Sequence, residues 1–196
     1  METEKSLLMQ DNWRSNYGYE AMLDFQMSWL MRLAAEKNVK KKKLHQISKE
    51  VLLRLIGLLG TPNVDIKKVD IWRQWEQIDV TAEVEVVVNG QTQRHLVVLE
   101  DKAYTKIHDD QLNRYADKIS DYYEGKSKQK FNIHYWVITF FDKSSNNWSI
   151  LEKECDKAKW RLLSFYDVIG WSEDKKEEFE GTESDLFEEF WLKEWY

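Results

Sequence analysis

The chain has 196 residues, 42% apolar and 33% charged, enough for one domain with a sizeable core and unlike the polar composition of disordered chains. Its net charge of -6 argues against a broad, non-specific surface that neutralises phosphates. A single cysteine, Cys155, excludes an internal disulfide and a cysteine-based zinc site and fits a reducing compartment.

Along the chain, two helices come first. One is predicted from about Tyr17 to Glu36, with Met22, Phe25, Trp29 and Leu33 as its apolar stripe. The other is predicted from about Leu44 to Leu59, with Ile47, Val51, Leu52, Leu55, Ile56 and Leu59 at helical spacing. Between them Lys37, Lys40, Lys41, Lys42 and Lys43 read as a solvated loop. After Gly60-Thr61-Pro62-Asn63, a clear breaker, the period changes to that of strands.

Val64 to Trp75 reads as a first strand, and residues 78–88 alternate apolar and polar side chains over a second. Asn89-Gly90 then marks a two-residue hairpin, because a type I′ turn needs positive φ at both central positions. The return strand runs from Arg94 to Ala103. A helix follows from Lys106 to Glu124, with Leu112, Tyr115, Ile119 and Tyr122 on one side and Gly125 near its end. Phe131 to Phe141 is β-prone and of low polarity, as expected of a buried central strand. Arg161 to Phe165 reads as a short strand, Ser164-Phe-Tyr-Asp167 as a helix start, and Asp185 to Trp195 as a final amphipathic helix. A mixed sheet flanked by helices is the expected architecture. No apolar run reaches membrane-spanning length and the first residues lack a secretion signal, so no membrane contact and a cytoplasmic location are expected.

The hairpin carries the chemistry. If Val88 faces Gln91, Asp79 faces Glu100, and Lys102 shares their side of the sheet because strand side chains repeat every two residues. Two like charges across a strand pair, with Cβ atoms ~5 Å apart, destabilise the sheet unless something positive sits between them. A hard divalent cation held by carboxylates and water answers that need, and Lys102 can aim a charge at phosphate but cannot ligate a metal. The plain alternative is a solvated sheet face with a surface salt bridge. Thr81, Glu83 and Glu85 are expected to face solvent, Asp101 to point to the opposite face, and His95 and His134 to be packed. His108 could approach the site from the helix start. Cys155 has no assigned partner as a nucleophile.

Ile78-Asp79, then Glu100-Asp101-Lys102, then a helix opening with Gln111-Leu112 and carrying Tyr115, resembles the PD-(D/E)XK nuclease superfamily. The resemblance covers about residues 17–141 by element order, with Ile78 in place of the motif's proline. It implies an α/β fold with a restriction-endonuclease-like αβββαβ core, a central mixed sheet flanked by helices, and extra helices at both termini. The chain is expected to be a single domain over 1–196, with 142–196 packing on that core. It further implies hydrolysis of nucleic-acid phosphodiesters, DNA in preference to RNA. Asp79 and Glu100 would hold Mg²⁺, which Mn²⁺ can replace, and Lys102 and Gln111 would serve the reaction. Glu20 on the first helix and Tyr115, one turn from Gln111, are accessory candidates; ordinary helix-surface and core roles are the alternatives. A rival reading is an inactive nuclease-fold module that binds or assembles. Its aromatic tail (Phe187, Phe190, Trp191, Trp195, Tyr196), if exposed, would meet a second copy or a protein partner, although packing onto the domain's own core is the expected fate. A third is an α+β domain in which the motif is coincidence.

Overall fold

The computed structural model describes residues 5–9, 16–37, 39–123, 125 and 130–195. Its centre is a five-stranded mixed sheet in the order β1 (Val64–Trp75), β2 (Ile78–Val88), β3 (Gln91–Lys102), β4 (Asn132–Thr139), β5 (Arg161–Ser164). The first two pairings are antiparallel, and β3-β4 and β4-β5 are parallel. Asn89 and Gly90 take φ of 49° and 84°, the positive pair that a type I′ turn requires. Val88 therefore pairs with Gln91, and the register runs unbroken to Val80 opposite Leu99.

Each sheet face is covered. On one side lie α1 (Asn16–Ala35), α2 (Lys42–Leu55), the short α5 (Phe165–Ile169) and α6 (Asp185–Trp191), packed on Val80, Ala82, Val84, Val97, Leu99, Trp136 and Ile138. The other side carries α3 (Gln111–Tyr123) and α4 (Asn146–Ala158) over Leu96, Val98 and Val137. A 3₁₀ helix, Glu173–Phe179, links α5 to α6. Among the described residues no helix is long and apolar enough to cross a membrane.

Several expectations need correction. The buried side of α1 is Tyr19, Leu23, Met27, Leu30, Met31 and Ala34, whereas Phe25 is exposed and Met22, Trp29 and Leu33 are half-buried. Apolar residues surround this helix, so its sequence defines no single stripe and the contact with the sheet chooses the face. α2 stops at Leu55, because Gly57 turns left-handed (φ 72°), and Leu59 is exposed. α3 starts at Gln111 rather than Lys106, since Asp109 and Asp110 both have positive φ. Its Tyr123 is buried and Tyr122 exposed, and Glu124 lies outside the described residues. Thr81 is buried, and Glu83 accepts a hydrogen bond from the Tyr123 hydroxyl (2.8 Å), so α3 covers part of the polar face of β2.

α4 was not expected. Ser145 caps it by accepting from the Trp148 amide, Trp148, Leu151 and Cys155 face the core, and Lys159 ends it in the left-handed conformation. Burial pushes the Cys155 thiol up to about 12, which suits packing and not nucleophilic attack. α6 ends at Trp191. Phe187, Phe190, Trp191 and Trp195 are all buried, the last three around Phe165 and Phe187 against Trp191, so they pack on the domain's own core; Tyr196 lies outside the described residues.

Two polar contacts tie remote segments to this frame. Glu189 on α6 accepts from Ser6 Oγ (2.9 Å), from the Leu7 and Leu8 amides (2.5 and 3.1 Å) and from Lys193 (2.8 Å). Desolvation would raise its pKa, but these four donors outweigh it and hold the carboxylate at about 2. Under α1, the carboxyls of Asp24 and Asp101 meet inside the protein. Asp101 is fully buried, and neither of its oxygens, nor Asp24 Oδ1, receives a hydrogen bond from an N–H or O–H donor. Burial first, then the neighbouring charges, raises both, Asp24 to about 6 and Asp101 well above the carboxylate range.

Glu189→Ala should release the N-terminal segment: amides of Leu7 and Leu8 exchange at least about tenfold faster, as expected for losing a charge-assisted bond. Acidification to about pH 2 should mimic it, because the depressed carboxylate's contribution is complete above about pH 4.5 and lost as pH falls through about 2. Asp24 has the opposite sign. Its raised pKa contributes stability that is complete below about pH 4 and lost as pH climbs through about 6. Asp24→Asn, which keeps an acceptor for Gln74, should raise the unfolding free energy at about pH 7.5 by roughly 1–3 kcal/mol, with the gain vanishing near pH 4, as denaturant melts at the two pH values would show.

Candidate active site

The acids meet at the carboxyl end of β3, where the antiparallel hairpin gives way to the parallel half of the sheet. Glu100 is 2% exposed. Its Oε1 accepts from the Lys102 ammonium (2.6 Å) and from Gln111 Nε2 (2.6 Å). Its Oε2 is buried and accepts no hydrogen bond. Burial pushes Glu100 up to about 8 and the Asp79 charge adds to the rise, while Lys102 opposes both. Burial alone would lower Lys102, but Glu100, with Asp79 and Glu20 behind it, reverses the sign and keeps the ammonium charged.

Asp79, the second residue of β2, is fixed from both sides. Its Oδ2 accepts the Asp101 amide (2.8 Å), and its Oδ1 accepts Gln74 Nε2 (3.0 Å). Gln74 has φ of 56°, and Glu76 and Gln77 are also left-handed. This strained turn lets one amide bridge Asp79 and Asp24 (3.2 Å). Gln74 has no motif to mark it. Only its place beside the β1-β2 turn, opposite Asp79, makes it a candidate.

Gln111 opens α3 because its amide donates to the His108 carbonyl (2.9 Å), and its side chain is shared between Glu100 and the Tyr115 hydroxyl (2.9 Å). Tyr115 is buried one turn further on, and burial raises its pKa, with Glu100 adding to the rise. His108 lies exposed in the preceding loop. Glu20 reaches the same strand end from α1: its Oε1 accepts the Ala103 amide (3.1 Å) and the Thr105 hydroxyl (2.7 Å). It holds the chain leaving β3 and lies close enough to Lys102 to favour its charge.

The structure thus brings Asp79, Glu100, Lys102, Gln111 and Tyr115 to one place and sets Glu20 at its edge. Asp101 does point away from Glu100, as strand alternation demands, but into a buried acid pair. His95 and His134 sit apart, stacked on each other with Nδ1 and Nε2 2.9 Å apart, and burial lowers both.

Do these residues fit a divalent cation? Among the described residues no three His, Cys, Asp or Glu side chains form a ready metal cage. Mg²⁺ needs none, since it binds through one or two carboxylates and keeps several waters. The orphaned Glu100 Oε2, the raised Glu100 and the nearby Asp79 together describe a donor set short of positive charge. The residues fit.

A family model described as PD-(D/E)XK nuclease superfamily matches residues 9–196, taking in the C-terminal elements as well as the core. No curated protein and no solved structure matches the chain. Proteins of that superfamily are generally nucleases and typically use divalent metals. A five-stranded mixed sheet between two helical layers agrees with a restriction-endonuclease-like fold. The match spans nearly the whole length, and on it the chain belongs to the PD-(D/E)XK nuclease superfamily.

Proposed function

We propose that this protein is a metal-dependent nuclease that hydrolyses phosphodiester bonds of nucleic acid, DNA in preference to RNA, at the Asp79-Glu100-Lys102 site. The observation that carries the reading is the buried Glu100–Lys102 pair, 2.6 Å apart, with Glu100 Oε2 unsatisfied and Asp79 delivered by the adjacent strand. An ion pair kept in the interior for stability alone is poorly motivated, because desolvation offsets most of its attraction.

In this reading Asp79 and Glu100 hold Mg²⁺, with Mn²⁺ as a substitute. The ion supplies charge neutralisation at the phosphate and a more acidic water for attack. Lys102 donates toward the attacking water or the developing phosphate charge as a compact cation. Gln111 pins the Glu100 carboxylate through Oε1 and leaves Oε2 for the cation, and Tyr115 fixes the Gln111 rotamer in turn. Glu20 steadies the backbone just past Lys102. The complete acid-acid-lysine set favours an active enzyme over a binding module.

Plasmid DNA, linear DNA and RNA incubated with Mg²⁺ or Mn²⁺ should separate these readings. Metal-dependent cutting is expected, with Asp79→Ala and Lys102→Ala slower by at least about 10²–10³-fold and Gln111→Ala by roughly 10–100-fold. Each is assayed as folded protein below its own melting transition, because Lys102→Ala leaves Glu100 buried without its cation. Cutting that survives both Asp79→Ala and Lys102→Ala would reject the site. Calorimetry supplies an independent check. Because Glu100 titrates at about 8, a cation bound there displaces a proton, so Mg²⁺ affinity should rise with pH up to about 8 and then level.

A further inference from the structure

Past Lys102 the carboxyl ends of β3, β4 and β5 line up. Lys102 pairs with Thr139, and Thr139 with Ser164, so Ser164 lies two strand spacings, about 10 Å, from the lysine. Outside this row opens a cavity of about 610 Å³ lined by Thr139, Ser164 and a set of rings. In open α/β sheets that crevice is where ligands bind, and the volume lies within the range of small-ligand sites.

Its lining is aromatic. Phe140, Phe165 and Trp195 form the floor, locked to one another with centroids 4.6–5.2 Å apart. Phe141 meets Tyr104 edge-on at 5.6 Å. At the rim Tyr104 is 40% exposed and Tyr166 52% exposed, each leaning on neighbouring rings. Charge here leans negative, with both lysines already paired. Lys143 is paired with Asp167 (2.5 Å) and Lys193 with Glu189 (2.8 Å), and Asp142 and Glu194 also line the wall. Such a cavity is not built to hold a phosphate. It suits a flat, uncharged ring with polar edges.

We propose that this cavity is a base-stacking subsite for an unpaired nucleotide next to the scissile phosphate, which makes single-stranded or locally opened nucleic acid the preferred substrate. The proposal rests on the nuclease reading for its ligand. Two observations select a nucleobase: Tyr104 stands two residues beyond Lys102, so the cavity continues the catalytic strand, and a chain of net charge -6 cannot draw its affinity from broad phosphate neutralisation. Stacking on exposed rings provides affinity of another kind and is tolerant of sequence. A base inside a duplex is already stacked and paired, so it enters only where the strand is open.

The test is fluorescence anisotropy of the full-length protein in chelator, so that nothing is cut. The probes are a labelled strand of about ten nucleotides, its duplex, and the same strand made abasic. The single strand should bind most tightly, and the abasic strand should lose roughly five- to a hundredfold. Tyr166→Ala and Tyr104→Ala should bring the intact strand towards the abasic value, while Tyr166→Phe retains binding. Tyr166 lies on the surface, so its variant keeps the test open should Tyr104→Ala melt early. Equal affinity for intact and abasic strands, or Tyr166→Ala binding like wild type, overturns the subsite. Base-dependent binding with no cleavage under any metal leaves the subsite standing and removes the nuclease reading. Cleavage of duplex and single strand alike, by folded alanine variants at full rate, does the reverse.

Discussion

A two-residue turn at Asn89-Gly90 decides which side of the sheet every residue of β2 and β3 occupies. Side chains alternate with a period of two, so a slip of one residue would send Glu100 and Lys102 under α1 and bring Asp101 out beside Asp79. Few positions could tolerate that exchange. The α1 face is apolar at Val80, Ala82, Val97 and Leu99, and the opposite face takes Thr81, Glu83 and the Tyr123 hydroxyl. The turn, the alternation and the two covering layers specify the same register, and the register composes the site.

What the register composes is electrostatically uncomfortable. Asp79, Glu100, Asp101, Asp24 and Glu20 crowd one end of β3, with Lys102 the cation bonded directly to Glu100. The fold manages this by three different means. Glu100 is offset by an ammonium and an amide; Asp79 is held by a backbone N–H and by Gln74 from a left-handed turn; Asp101 is buried against Asp24, where burial raises its pKa and favours the neutral acid. Concentrating acids beside one buried lysine lowers stability at neutral pH, the electrostatic pattern expected of a functional site.

The C-terminal third supplies what the αβββαβ core lacks. Phe165, Phe187, Phe190, Trp191 and Trp195 cover the sheet alongside α1, and Glu189 ties the N-terminal residues to the same layer. Trp195, Phe140 and Phe165 also floor the cavity beside Lys102. The same rings therefore serve both the core packing and the cavity lining.

Local chemistry was legible in the residues themselves. Asn89-Gly90, the alternation across 78–88, the span of β1 and the low polarity of β4 are properties of neighbours a few positions apart, and from them the facing of Asp79, Glu100 and Lys102 follows. Even α4 had a readable signal, Ser145 followed by Trp148, Leu151 and Cys155 at helical spacing. Other features existed only once distant segments met. Which side of α1 is buried, the burial of Thr81 under α3, the Asp24–Asp101 pair and the cavity beyond Ser164 each depend on what packs there from elsewhere in the chain. Turn type and alternation are set by backbone sterics within a few residues. Burial, and with it the raised pKa of Glu100 and Asp101, is set by the partner surface, which no short stretch of sequence contains.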